Sequence, residues 1–162
     1  MNTGDVIIHP AHAGEAEALT ALCLRAKAHW GYDATFMAAA APLLRIREDH
    51  IRAGGVLTAR RGDADRPLCG VAVLVPLRRP GWCELSHLFV APESLRHGIG
   101  RILFQAAVAQ AAGRGATTLS ILSDPYAAPF YERLGARRCG EAPSGVDRTR
   151  MLPLFEFAIS RR

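Results

Sequence analysis

Residues 85–103, LSHLFVAPESLRHGIGRIL, constrain this chain more than any other stretch. They begin as an apolar run, break at Ala91-Pro92, cross a short polar turn and reach Gly98-Ile99-Gly100. From there Ile99, Ile102, Leu103 and Ala106 recur at the i, i+3, i+4, i+7 spacing of one helix face. Gly113 and Gly115 supply the stop. The pattern predicts strand, glycine turn, helix. The first turn of a helix leaves backbone N–H groups without internal partners, and the helix dipole places partial positive charge there. Glycines, lacking Cβ, let a ligand's phosphates approach those groups, and Arg96, His97 and Arg101 add positive charge. A polyanion site of pyrophosphate type is the expectation. Two familiar alternatives fail on spacing. A dinucleotide fingerprint needs a third glycine where Leu103 stands, and a Walker loop needs Gly-Lys-Ser/Thr, whereas the only lysine here is Lys27.

The remaining periodicities place this unit in a larger order. Residues 5–9 read as a strand. In AGEAEALTALCLRAKAH, Ala18, Leu19, Leu22, Cys23 and Ala26 make a helical stripe that Gly31 ends. Residues 36–45 form an alanine-rich helical stretch interrupted by Pro42, and residues 49–53 one more turn. Strands follow over 56–60, 68–77 and 82–90, separated by a hairpin loop and by the turn Arg78-Arg79-Pro80-Gly81. Beyond the glycine-bounded helix come a strand over 117–122 and a helix over 126–134. Asp124-Pro125 opens that helix and Gly135 closes it. Strands over 136–141 and 151–159 complete the chain, with Pro153 arguing for an edge or a bulge in the last. The order β-α-α-β-β-β-α-β-α-β-β predicts an α/β (α+β) fold with helices packed on a mixed sheet. At 162 residues it fits one domain, 1–162.

Two segments resemble a known family. Val90-Ala91-Pro92 followed by Gly98-Ile99-Gly100 resembles the acetyl-CoA signature of the GNAT superfamily of N-acetyltransferases, with Leu95 standing where an arginine or glutamine is usual. DPYAAPFYERLGA, residues 124–136, resembles the family's second motif at Asp124, Ala127, Phe130, Tyr131, Glu132 and Gly135, with Asp124 in place of asparagine. The resemblance implies a mostly antiparallel sheet of about six or seven strands. It implies acetyl-CoA as co-substrate, lying across the splayed ends of strands 82–90 and 117–122. Leu88, Phe89, Val90, Leu95, Arg96, His97, Gly98, Ile99, Gly100 and Arg101 would hold it from one side, Asp124, Ala127 and Phe130 from the other. Tyr131 takes the place of the tyrosine that meets the CoA sulfur. Glu84, 14 residues before Gly98, takes the place of a catalytic base.

The chemistry asks for such groups. An alkylamine with a pKa of about 10.4 is mostly protonated at neutral pH and must lose a proton before it attacks. A departing thiolate needs a proton or a hydrogen bond. With period-two alternation Glu84, Ser86, Leu88 and Val90 share one strand face, and His87 points the other way as a core histidine. His29-Trp30-Gly31-Tyr32 ends the first helix where the resemblance places the acceptor. There aromatic faces would hold an ammonium group, with Arg148 and Arg150 of the 144–150 loop suiting a carboxylate. The acceptor expected is the amine of a small molecule, attacking directly with no covalent enzyme intermediate.

Composition excludes other classes. The net charge of +5 is almost all arginine, spread in pairs such as Arg60-Arg61 and Arg137-Arg138. That argues against a contiguous nucleic-acid face and suits an anionic cofactor. No apolar run approaches the roughly 20 residues that span a bilayer, and MNTGDVIIHP is no signal peptide. A bacterial protein in the cytoplasm is the expectation, with a homodimer left open. Cys23, Cys69, Cys83 and Cys139 form no paired motif and read as reduced structural thiols, Cys83 being the one beside a candidate catalytic residue. His9, His12, His29, His50 and His97 have no metal-ligand spacing. Two rival readings are an acyl-CoA-binding sensor that does not catalyse, favoured by Leu95 and Asp124, and a nucleic-acid module, favoured only by net charge.

Overall fold

The computed structural model describes residues 5–63 and 65–160. Its elements are β1 (Val6–Pro10), α1 (Ala16–Ala28), α2 (Ala34–Leu44), α3 (Glu48–Arg52), β2 (Val56–Arg61), β3 (Leu68–Pro76), β4 (Trp82–Val90), α4 (Ile99–Gly113), β5 (Thr118–Leu122), α5 (Ala128–Arg133), β6 (Arg137–Pro143) and β7 (Met151–Ala158). The seven strands form one sheet in the order β1-β2-β3-β4-β5-β7-β6. Every neighbouring pair is antiparallel except β4 and β5.

Helices cover both faces. On one, Ile99, Leu103, Phe104 and Ala107 of α4 and Tyr131 of α5 pack on Leu57, Ala72, Leu85, Leu119 and Phe155. On the other, Leu19, Leu22 and Cys23 of α1, with Ala40 and Leu44 of α2, pack on Val56, Val71 and Val73. Leu19, Leu22, Cys23 and Ala26 of the expected α1 stripe are therefore buried, whereas Ala18 at its edge is exposed. Pro42 does not interrupt α2: it sits in the last turn, where few further backbone bonds remain to be lost.

The parallel ladder between β4 and β5 is short. Trp82, Cys83 and Glu84 pair with Thr118, Leu119 and Ser120, and pairing stops there. β4 keeps β3 as its partner to Val90, while β5 keeps β7 to Leu122. Past Glu84 and Ser120 the strands separate, leaving facing backbone edges unpaired in the middle of the sheet.

A bulge in β4 corrects the alternation expected from sequence. Val73 pairs with His87 but Leu74 pairs with Leu85, so Ser86 is an extra residue. An extra residue flips every later side chain to the opposite face. Leu88 and Val90 consequently pack with Leu85 on the α4 side. Glu84, opposite Val75, shares the α1/α2 face with His87 and Phe89. The Ser86 hydroxyl donates to the Val73 carbonyl at 3.3 Å and contacts His87 Nδ1 at 2.9 Å.

Pro153 marks no edge, since β7 lies inside the sheet between β5 and β6, but a register shift does stand beside it, between Arg138 and Gly140 of the β6–β7 ladder. The Pro153 carbonyl accepts from Ser123 N at 2.9 Å. The N and C=O of one strand residue point to the same side, so the missing donor faces β5, which has ended at Leu122. The helix expected over 126–134 also shortens. Two prolines, Pro125 and Pro129, can each fill a first-turn position. Pro129 does so, and α5 begins at Ala128.

Candidate active site

The glycine turn is built by two left-handed residues. Arg96 has φ of 61° and Gly98 φ of 73°. Only glycine takes that conformation freely, and Gly98 holds it at the N-cap of α4. No side chain caps the first turn of α4. The N–H groups of Ile99, Gly100 and Arg101 thus have no partner inside the helix, with Arg96 exposed beside them. Gly100 has a different reason to be small. A Cβ there would stand 3.2 Å from Phe130 Cε2, so this glycine seats α4 against α5.

From this turn a cleft of about 540 Å³ passes through the splay. Its walls come from both cores: Ile99, Phe130 and Tyr131 from the α4/α5 side, Ala26, Ala40 and Leu44 from the α1/α2 side. Leu88, Phe89, Val90, Leu95, Arg96, Gly98, Ile99, Gly100, Arg101, Asp124, Ala127 and Phe130 all line it. His97 does not. Tyr131 lies among Phe104, Phe130 and Phe155 and reaches the cleft wall, and its hydroxyl has no hydrogen-bond partner among the described residues. Burial pushes its phenol well above the ordinary tyrosine range, which favours the neutral, hydrogen-bond-donating form.

Glu84 does not line the cleft. It stands at the last paired rung before the splay, half-buried, and burial raises its carboxyl above the usual range. His87 does line it, although only 8% exposed. Burial, with His50 nearby, lowers the His87 pKa to about 4, so its ring is neutral at pH 7. Cys83 faces the opposite core and its thiol points to the Val75 carbonyl at 3.4 Å. Burial pushes its pKa up, against formation of a nucleophilic thiolate.

The far end of the cleft is polar. Asp124 is no helix cap: its Oδ1 accepts from Tyr126 N at 3.0 Å, holding a turn ahead of α5. Its Oδ2 accepts from Lys27 Nζ at 2.5 Å and from the Tyr32 hydroxyl at 2.8 Å. Arg150 Nη2 donates to the same Tyr32 hydroxyl at 2.6 Å. Burial raises the Asp124 carboxyl, but Lys27, Tyr126 N–H and Tyr32 outweigh it and leave the pKa below the usual range. Burial and Asp124 raise the Tyr32 phenol to about 12. This cluster joins the end of α1, the α1–α2 turn, the β5–α5 turn and the residue before β7.

His29 and Trp30 line the cleft, and Tyr32 enters through its hydrogen bonds. Arg148 is exposed and off the cleft wall; Arg150, two residues on, occupies the place expected of it. Lys27 and Tyr126 carry no sequence signal of their own. Lys27 reads as the polar side of an amphipathic helix, and Tyr126, stacked on Trp30 at 5.2 Å, as a residue inside a helix that in fact starts later.

The model of the acetyltransferase (GNAT) family matches residues 18–136, most of the chain. This chain belongs to that family. Its fold recurs in solved structures. The PaiA N-acetyltransferase of Thermoplasma acidophilum, in complex with coenzyme A, superposes with a TM-score of 0.75 at 18% identity, over 94% of this chain and 98% of that one. A GNAT family acetyltransferase of Brucella melitensis in complex with acetyl-CoA gives 0.65 at 19% identity, over 96% and 89%. N-acetylglutamate synthase of Neisseria gonorrhoeae, complexed with coenzyme A and N-acetyl-glutamate, gives 0.71 at 21% identity over 96% of this chain. The chain spans only 35% of the length of that synthase. No match is found among curated protein sequences.

Proposed function

We propose that this acetyltransferase moves an acetyl group from acetyl-CoA to the primary amine of a small molecule, by direct attack within a ternary complex. The observation that carries this reading is the cleft through the splay. It has uncapped helix N–H groups at one end, an unpaired β4 edge along its middle and an ion-pair cluster at its far end. The residues present suit acetyl-CoA. The N–H groups of Ile99 to Arg101, with Arg96, would hold the pyrophosphate. The free edge of β4 would pair with the amides of the pantetheine arm.

The bound cofactor supplies an activated thioester. The amine nitrogen bonds to its carbonyl carbon, the C–S bond breaks, and the electron pair leaves on sulfur. Tyr131 donates a hydrogen bond to that sulfur. Its raised pKa suits donation rather than full proton loss, and solvent supplies the final proton. The proton lost by the amine passes to Glu84 through water, since Glu84 stands behind the cleft wall on the acceptor side. Binding of an acyl-CoA without turnover is the second reading, favoured by Leu95 and by the recessed position of Glu84. A thiol-release assay separates the two. Release that requires both acetyl-CoA and an amine supports transfer. Tight acetyl-CoA binding with no release across a broad amine panel overturns it.

A further inference from the structure

Charge does not balance at the far end of the cleft. The ammonium of Lys27 and the carboxylate of Asp124 neutralise each other, their side chains only 13% and 12% exposed. Arg150 brings a second cation to the same cluster: two cations stand against one carboxylate. Among the described residues Arg150 has no ion-pair partner. Asp147 feels its charge, but that carboxylate is exposed and bound to Thr149 N and Oγ1.

Arg150 is also held in place. One N–H is committed to the Tyr32 hydroxyl, and the guanidinium carbon lies 5.2 Å from the centroids of both the Tyr32 and Phe36 rings. A guanidinium fixed at one corner and backed by rings keeps its other donors as a rigid fork, the geometry that matches a carboxylate. Beside it the surface turns apolar. Trp30 and Tyr126 stack with an interplanar angle of 4°, and they and Leu43 remain 40%, 55% and 50% exposed.

Resting on the acetyl transfer argued above, we propose that the acceptor carries a carboxylate and an apolar body. It is an amino-acid-like molecule whose carboxylate is received by Arg150 and whose side chain lies against Trp30 and Tyr126. The carboxylate restores neutrality to the cluster. A polyamine would instead add charge next to Lys27 and Arg150.

The test is a titration calorimetry series on the full chain. The probes are L-phenylalanine, L-leucine and L-methionine, their amides, and phenethylamine, which lacks the carboxylate. A charge-assisted bond to a fixed guanidinium implies that each amide binds at least about tenfold more weakly than its acid. Arg150→Gln should abolish that preference while phenethylamine binding stays within about twofold, and Arg150→Lys should keep part of it. Amides that bind as well as acids overturn the proposal. So does a preference that survives Arg150→Gln, or failure of all three acids to bind. Calorimetry needs no turnover, so the two readings fail separately. An intact acid preference without thiol release counts against acetyl transfer alone.

Discussion

Asp124→Asn tests whether the polar cluster is as tightly coupled as its geometry implies. The substitution keeps shape and an acceptor oxygen but removes the carboxylate that pairs with Lys27. Removing one partner of a fully buried ion pair costs about 3–5 kcal/mol. Here both side chains keep 12–13% exposure and the cleft admits water, so a discounted cost of about 2–3 kcal/mol is expected. Lys27→Met should also destabilise, though by less, because Arg150, one hydroxyl away, still faces the Asp124 carboxylate. The double change Lys27→Met with Asp124→Asn removes both charges and should recover about 2 kcal/mol relative to the sum of the singles. Urea unfolding of the four proteins, fitted with a common slope, gives the coupling directly. Because Asp124 titrates below its ordinary range in the fold, its contribution is present above the unfolded pKa of about 3.9 and fades as pH falls through the lower folded value. If each single change costs under about 1 kcal/mol, or the double merely equals the sum, the cluster is a solvated surface pair and the reasoning is wrong.

Other expectations follow from particular contacts. His87, with its pKa lowered to about 4 by burial, takes up a proton more readily when unfolded, so stability should fall as pH drops from about 6.5 to 4. The size is on the order of 3 kcal/mol, and His87→Gln should flatten that limb of a pH–stability profile. Gly100→Val should push α4 from Phe130, lowering the melting temperature by several degrees and weakening acetyl-CoA binding measured by calorimetry. Tyr131→Phe and Glu84→Gln should each lower kcat about a hundredfold with little change in the acetyl-CoA KM, measured by steady-state thiol release.

Much of the fold was legible because its signals are local. The glycine turn, the α1 stripe and the strand spacing each depend on near neighbours, and all appear where their periodicity places them. Features that depend on a partner strand were not. The Ser86 bulge exists only in the register between β3 and β4, so strict alternation put Leu88 and Val90 on the face of Glu84 when they lie on the opposite one. Pro153 pointed to an edge or a bulge, and a sequence does not show that β5 stops one residue short of it, which lets an inner strand carry the proline. The site divides the same way. The turn at 96–101 and Tyr131 sit in contiguous motifs, whereas the Lys27–Asp124–Tyr32–Arg150 cluster spans residues 27 to 150 and comes together only through packing. Arg148 and Arg150 look alike in sequence, and only the path of the chain into β7 decides which one reaches the cleft.

The central claim is that acetyl-CoA enters the splay between β4 and β5, and amide hydrogen exchange with and without coenzyme A tests it most directly. Protection should rise at residues 88–90 on the free edge of β4 and at residues 98–101 in the first turn of α4. The β1–β2 pair at the far side of the sheet should stay unchanged. Saturating coenzyme A that leaves residues 88–90 and 98–101 unprotected, or that protects a different surface, would contradict the account.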